Sequence, residues 1–245
     1  PLVQSFSPQD AWIVWQADTG EAGGVTWTWD EVDTEVAATM RPGPGAMPLF
    51  EAHLTGLPAG EAISYRVSTS TAASTSEEGP FPIRVPLPPG EADSTTLLAM
   101  SDMQRSGQYP DKFDEIVNEG VLAVFETPSD QLQMVLIAGD LVDAGWRVTD
   151  WTDDFFGPGQ ALLSRVPSYP VFGNHEDDSS YFLDYFHLPE NGTAGFLEHW
   201  WWWDSANVRV IGLDSNANYW VPEQFEWLDA RLAETCDEDH VDFLV

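Results

Sequence analysis

Positive charge is scarce in this chain. Nine Lys and Arg stand against 41 Asp and Glu, a formal net charge of −32 at pH 7, and Lys112 is the sole lysine. A surface of that sign repels polyanions, so non-specific binding to nucleic acid is disfavoured. The balance reads as adaptation to a salty medium, where screening tolerates dense carboxylates. Cysteine is nearly absent too. Cys236 stands alone, which excludes an internal disulfide and a Cys-rich zinc site. No apolar run approaches the ~20 residues of a membrane-spanning helix, and nothing after Pro1 resembles a signal peptide. A start without Met reads as a processed or cut N-terminus. What the chain does have is apolar and aromatic mass. Of its 245 residues 43% are hydrophobic and 12 are Trp, enough for a sizeable core in one large domain or two ordinary ones.

The first ninety or so residues read as all-β. Ala11 to Trp15 is a short run of β-formers, and Val25-Thr26-Trp27-Thr28-Trp29 alternates with period two, placing three apolar side chains on one face. Phe50 to Leu54 and Ile63 to Val67 follow, separated by Gly56-Leu57-Pro58-Ala59-Gly60. Short strands at this spacing predict a sandwich. The Ser/Thr/Ala-rich stretch 68–79 reads as a loop. Pro80-Phe81-Pro82 and Pro86-Leu87-Pro88-Pro89-Gly90 read as a stiff linker, with a domain boundary near Glu91 to Ser94.

Beyond it the pattern changes. Buried strands are expected at Thr95–Met100, Leu132–Ala138, Tyr169–Phe172, Val208–Leu213 and from Val241 to Val245. Lys112 to Phe125 has helical spacing, with Phe113, Ile116, Val117 and Val124 on one face. Trp151 to Leu163 reads as a helix broken at Gly157-Pro158-Gly159. Pro222 to Ala233 reads as an amphipathic helix with Phe225, Leu228 and Leu232 sharing a face. Strands alternating with helices predict an α/β layered domain.

Four of these strands end alike: Met100 precedes Ser101-Asp102, Ala138 precedes Gly139-Asp140, Phe172 precedes Gly173-Asn174-His175-Glu176, and Leu213 precedes Asp214. The carboxyl ends of strands in an α/β sheet form its ligand crevice, so hard oxygen donors are expected to converge there. A lone Asp after a strand is ordinarily a turn or cap residue. Asp-x-Gln, Gly-Asp-x-x-Asp and Gly-Asn-His-Glu in order, each after a buried strand, form a far more specific pattern.

That pattern resembles the calcineurin-like metallophosphoesterases, nearest to the branch with a fibronectin-like domain in front, as in purple acid phosphatases. Leu54-Thr55-Gly56-Leu57-Pro58-Ala59-Gly60 followed by Tyr65-Arg66-Val67 resembles the E-to-F region of fibronectin type III-like domains, with Ile63 where a corner tyrosine often stands. The resemblance implies an all-β, fibronectin type III-like sandwich over residues 1–92. An α/β layered metallophosphoesterase domain, an α/β-β/α sandwich, would then cover 93–245 and be incomplete. It implies a phosphomonoesterase or phosphodiesterase that activates water with two divalent or trivalent metal ions, drawn from Fe, Mn, Zn or Mg. It also implies export, hence a secreted or periplasmic protein, and a small phosphate ester as substrate.

Residue by residue, Asp102 would bind the first metal, Asp140 would bridge both, and Asn174 would bind the second through its amide oxygen. His175 would stabilise the transition state or protonate the leaving oxygen, histidine being the usual acid–base group near neutrality. Family members often carry His where Gln104 stands. Gln104 is therefore either a ligand through its amide oxygen or a residue that orients one. Asp143 occupies the place of the purple acid phosphatases' iron-binding Tyr and reads as a turn residue. An oxygen-rich first site suits Mg, Mn or Fe better than a soft metal. The family's two later histidine motifs are not matched by His53, His187, His199 or His240. His53 reads as a strand surface residue, His187 and His199 as loop or packing residues, and Trp200–Trp203 as core or domain-contact surface. Val241–Val245 resembles the strand that delivers the first missing His, so the chain is expected to be truncated and inactive by itself. The contrary reading is a non-catalytic extracellular binding module whose phosphoesterase domain is degenerate.

Overall fold

The computed structural model describes residues 1–91 and 94–245. The predicted domain boundary falls in part on residues 92 and 93, outside the described residues. Before it lie eight strands: β1 (Leu2–Gln4), β2 (Asp10–Gln16), β3 (Ala22–Trp29), β4 (Val32–Ala37), β5 (Thr39–Pro42), β6 (Pro48–Thr55), β7 (Ala62–Ser70) and β8 (Thr75–Arg84). They form two four-stranded antiparallel sheets, ordered β1-β2-β6-β5 and β4-β3-β7-β8. Period-two alternation does the sorting. In β3, Val25 and Trp27 turn inward while Thr26 and Thr28 do not, and Trp29 lies at the strand end, 44% exposed. Ile13, Phe50, Leu54, Ile63 and Tyr65 complete the sandwich core.

The stretch 68–79 is not a loop. β7 runs on to Ser70, only 71–74 turn, and β8 pairs back from Ser70↔Thr75 to Ala62↔Arg84, taking in Pro80 and Pro82. Composition misled because β8 is an edge strand with an exposed face. Polar side chains cost nothing there, and proline is tolerated on an edge. The linker is thus confined to the residues after Arg84.

The second unit has two three-stranded sheets. β9 (Leu97–Met100), β10 (Met134–Ile137) and β11 (Ser168–Pro170) are all parallel, in the order β11-β10-β9. β12 (Trp201–Ser205) pairs antiparallel with β13 (Val208–Gly212), which pairs parallel with β14 (Phe243–Leu244). The sheets share one core, in which Tyr169 meets Trp201 and Trp203 at ring distances of 5.8 Å. Helices flank them, giving the α/β-β/α layering. β9 is an edge strand and only half buried, less than its apolar composition predicts.

Three helical expectations need correction. From Lys112 to Val124 the chain is helical, but with a π segment at Ile116–Val121. Its i→i+5 bonds lengthen the turn, so residues four apart share the inner face. Phe113, Val117 and Val121 are buried, while Ile116 and Val124 are exposed. Gly157-Pro158-Gly159 does not break its helix: a π segment Trp151–Phe156 runs straight into Gly157–Leu163. Proline's missing N–H is harmless near the start of the α-helical part. In the Pro222–Thr235 helix, Phe225 and Leu232 are exposed and the buried residue is Gln224. Gln224 turns inward because its amide closes three hydrogen bonds with Asp214 and Tyr219 backbone atoms.

The two units pack tightly. Leu2, Val14 and Leu49 belong to the second unit's core. Tyr65 Oη donates to Ser164 O at 2.8 Å, Phe6 N to Tyr169 Oη at 3.0 Å, and Arg41 pairs with Asp184 at 2.9 Å. Trp12 is stacked between exposed His53 and His187, and His187 also bonds Glu51. His187 is therefore a domain-contact residue, and the buried Trp200 and Trp201 are core. Among the described residues no helix is long and apolar enough to cross a membrane.

Candidate metal centre

Asp102, Asp140 and Asn174 follow the carboxyl ends of three neighbouring parallel strands. β10 is central, so Asp140 lies between the other two. Backbone bonds draw the first two loops together: Asp102 N donates to Gly139 O (3.3 Å) and Met103 N to Asp140 O (2.9 Å). His175 N donates to Asp140 Oδ1 at 3.1 Å and ties in the third. Both aspartates hold left-handed backbone angles, φ 57° at Asp102 and 53° at Asp140. Aspartate is among the few non-glycine residues that visit this conformation, because its short polar side chain can hydrogen-bond locally. The loops also approach more closely than side chains allow. A Cβ on Gly173 would stand 2.2 Å from both N and Oδ1 of Asp140, so only glycine fits.

Glu176 was legible merely as part of a motif, and the structure gives it a distinct place. Fully buried, it takes N–H bonds from Gly173 (2.8 Å), Asp140 (2.9 Å), Leu141 (2.8 Å) and Val142 (3.3 Å). Burial raises its carboxyl pKa, and the four peptide donors pull it back.

The His175 ring is a third exposed. Its Nδ1 lies 2.7 Å from Asp143 O. A carbonyl oxygen only accepts, so Nδ1 carries the hydrogen and Nε2 is left to gain or lose a proton. That bond raises the His175 pKa above the ordinary value, with burial opposing and the Asp140, Asp143 and Glu176 charges assisting. The Asp143 side chain is exposed and stands 3.7 Å from Arg147, as befits a turn residue.

Gln104 is half buried, and its Oε1 is buried with no hydrogen-bond partner. An orphaned acceptor two residues after Asp102 is what a cation would satisfy. Among the described residues no group of three or more His, Cys, Asp or Glu stands at ligand spacing. The donor set is two carboxylates and two amides, all oxygen, and it fits hard cations.

Asp214, after β13, is not an open donor. Its carboxylate is fully buried and takes His199 Nδ1 at 2.9 Å, Asn216 N at 3.0 Å and Asn216 Nδ2 at 2.9 Å. His199 is accordingly more than a packing residue: it is stacked between Phe172 (4.8 Å) and Tyr219 (4.0 Å) while it holds Asp214. Nothing in the spacing of His199 and Asp214 announces this pair.

A two-sheet α/β layered domain with donors at the strand ends defines a metallophosphoesterase scaffold. A model of the family described as Calcineurin-like phosphoesterase matches residues 95–237, more than half the chain, and the chain belongs to that family. Such proteins use dinuclear metal centres. The fold is similar to that of a purple acid phosphatase, PPD1, isolated from yellow lupin (Lupinus luteus) seeds. That likeness has a TM-score of 0.75 at 15% identity, over 95% of this chain and 48% of the phosphatase. The chain thus spans about half the length of that relative. A cycloalternan-forming enzyme from Listeria monocytogenes is 25% identical over 34% of this chain and 8% of its own, with a TM-score of 0.29, too low to bear on the fold. No curated protein matches the chain significantly.

Proposed function

We propose that the chain is the scaffold half of a metal-dependent phosphoesterase acting on small phosphomonoesters or phosphodiesters. The observation that carries this is the junction of three strand-end loops around Asp140, with the Gln104 acceptor orphaned on the first of them. Asp102 and Gln104 would hold one cation and Asn174 another, with Asp140 between them. Bound there, two cations supply Lewis acidity and a water of lowered pKa. The two amide donors leave the centre less negative than four carboxylates would, so an anionic ester can approach.

His175 provides the proton. With Nδ1 fixed on Asp143 O, a protonated Nε2 can deliver its hydrogen to the ester oxygen as the bond from phosphorus to that oxygen breaks. The attacking water's lost proton then restores the ring. The dense negative surface favours small esters over polymeric nucleic acid. Export remains part of this proposal, as the resemblance implies it.

The test is hydrolysis of 4-nitrophenyl phosphate by the protein with its natural flanking sequence, across Mg, Mn, Fe and Zn. His175→Ala is expected to lower kcat by about 100- to 10,000-fold, the usual contribution of general acid–base catalysis. Asp140→Asn is expected to lower metal content as well. Wild-type protein that takes up no metal would instead support the non-catalytic binding module.

A further inference from the structure

Three buried carboxylates tie the second, third and fourth candidate loops to one another or to a neighbouring helical segment. Asp154, 4% exposed, lies in the π segment Trp151–Phe156, and its Oδ2 accepts from Asp143 N on the second loop at 3.0 Å. Glu176, on the third loop, joins it to the second by three of the bonds described above, those from Asp140, Leu141 and Val142. Asp214 joins the third to the fourth: its Oδ1 orients Asn216, whose Nδ2 reaches Gly173 O at 3.3 Å.

We infer that Asp154, Glu176 and Asp214 are positioning residues that hold the strand-end loops after β10, β11 and β13 in metal-binding geometry before any cation arrives. This rests on the metal-site reading above and extends it to residues that touch neither metal nor substrate. The physical case has two parts. First, the donors come from separate loops, and loops by themselves are mobile. Ordering them only when a cation binds would subtract from the affinity. Secondly, each carboxylate is satisfied by hydrogen-bond donors of the protein itself. These loops therefore stay joined without help from the ions, and the left-handed turn at Asp140 is held from beneath.

The test uses Mn2+ as probe, its free concentration followed by electron paramagnetic resonance, on the whole chain in wild-type, Asp154→Asn, Asp214→Asn and Asn216→Ala forms. Asn216→Ala removes the side-chain bonds to Gly173 O and Asp214 Oδ1, keeps the backbone bond to Asp214 and changes no buried charge, so it serves if an Asp variant fails to fold. Hydrogen exchange of the metal-free proteins reports whether only the local link is lost. The expected result is Mn2+ affinity about 10- to 100-fold weaker for the Asp variants. Asn216→Ala should weaken it several-fold. In Asp154→Asn the Asp143 amide should exchange faster, with the near-ultraviolet circular dichroism unchanged. Variants that bind Mn2+ within twofold of wild type despite faster local exchange would overturn the inference and leave the functional reading standing. Wild-type protein that binds no Mn2+ would overturn both.

Discussion

Gly173→Ala is the smallest change that should dismantle the candidate site. The new methyl carbon would stand 2.2 Å from Asp140 N and Oδ1 and 2.8 Å from Glu176 Oε2. Two of these atoms are carboxylate oxygens already in hydrogen bonds, and the third is backbone, so no flexible side chain can swing aside. The second and third loops must part by about 1 Å to restore van der Waals contact. Glu176 Oε2 accepts from Gly173 N and Asp140 N, one on each side of that gap. Hydrogen bonds to a charged group contribute about 1.5–3 kcal/mol each, and overpacking by itself costs about 1–3 kcal/mol. If one bond is lost and the methyl is accommodated, the cost is roughly 3–6 kcal/mol. That is a large share of the ~5–15 kcal/mol that keeps a domain folded. Urea unfolding in metal-free buffer containing a chelator measures it without interference from bound ions. Gly107→Ala is the control: nothing lies within 4 Å of its Cβ position, and its change should stay within about 1 kcal/mol. A Gly173→Ala protein destabilised by less than about 1 kcal/mol would refute the claim that these loops are locked in contact.

Three further outcomes are expected. Tyr65→Phe removes the buried hydrogen bond to Ser164 O and should cost about 1–3 kcal/mol in urea unfolding, because the abandoned carbonyl stays buried. Glu198 has its pKa pushed up to about 7, chiefly by burial. Its folded form keeps a proton that the unfolded chain releases nearer the ordinary glutamate value, so its contribution is complete below that value and lost as pH rises through about 7. Glu198→Gln can still accept from Leu188 N and does not ionise. Its melting temperature should gain on wild type between about pH 5 and pH 8, and a pH-independent difference would contradict the assignment. Finally, a net charge of −32 means self-repulsion. Raising KCl from about 0.05 M to about 1 M shortens the screening length several-fold and should raise the melting temperature by several degrees, which calorimetry can check.

Much of the architecture could be read directly from residue order. Alternation located β3, short runs of β-formers located β2, β6 and β7, and buried runs located β10 and β13, because strand patterning is a property of local backbone geometry. What escaped were features that depend on neighbours. β8 is a strand because β7 lies beside it, not because Ser-Thr-Glu composition favours one. Phe225 and Leu232 share a helical face as their spacing requires, yet Gln224 is the residue that turns inward, because the carbonyls it can reach are on that side.

The same division runs through the candidate site. The order Asp102, Gln104, Asp140, Asn174, His175 and its placement after strands are written in the chain, since each motif is a few residues long and a strand-end turn is a local event. The sequence alone therefore determined the family, the layered fold class and which donor types are present. Only the tertiary structure decided that Asp214 faces inward, that Gln104 Oε1 is left without a partner, that Asp154 bonds the second loop and that Glu176 joins it to the third. Those facts depend on which groups meet across 10 to 40 residues of intervening chain, and a carboxylate's role is set by whether water or a peptide N–H reaches it. No local pattern records that choice, because it is made by burial after the strands have paired.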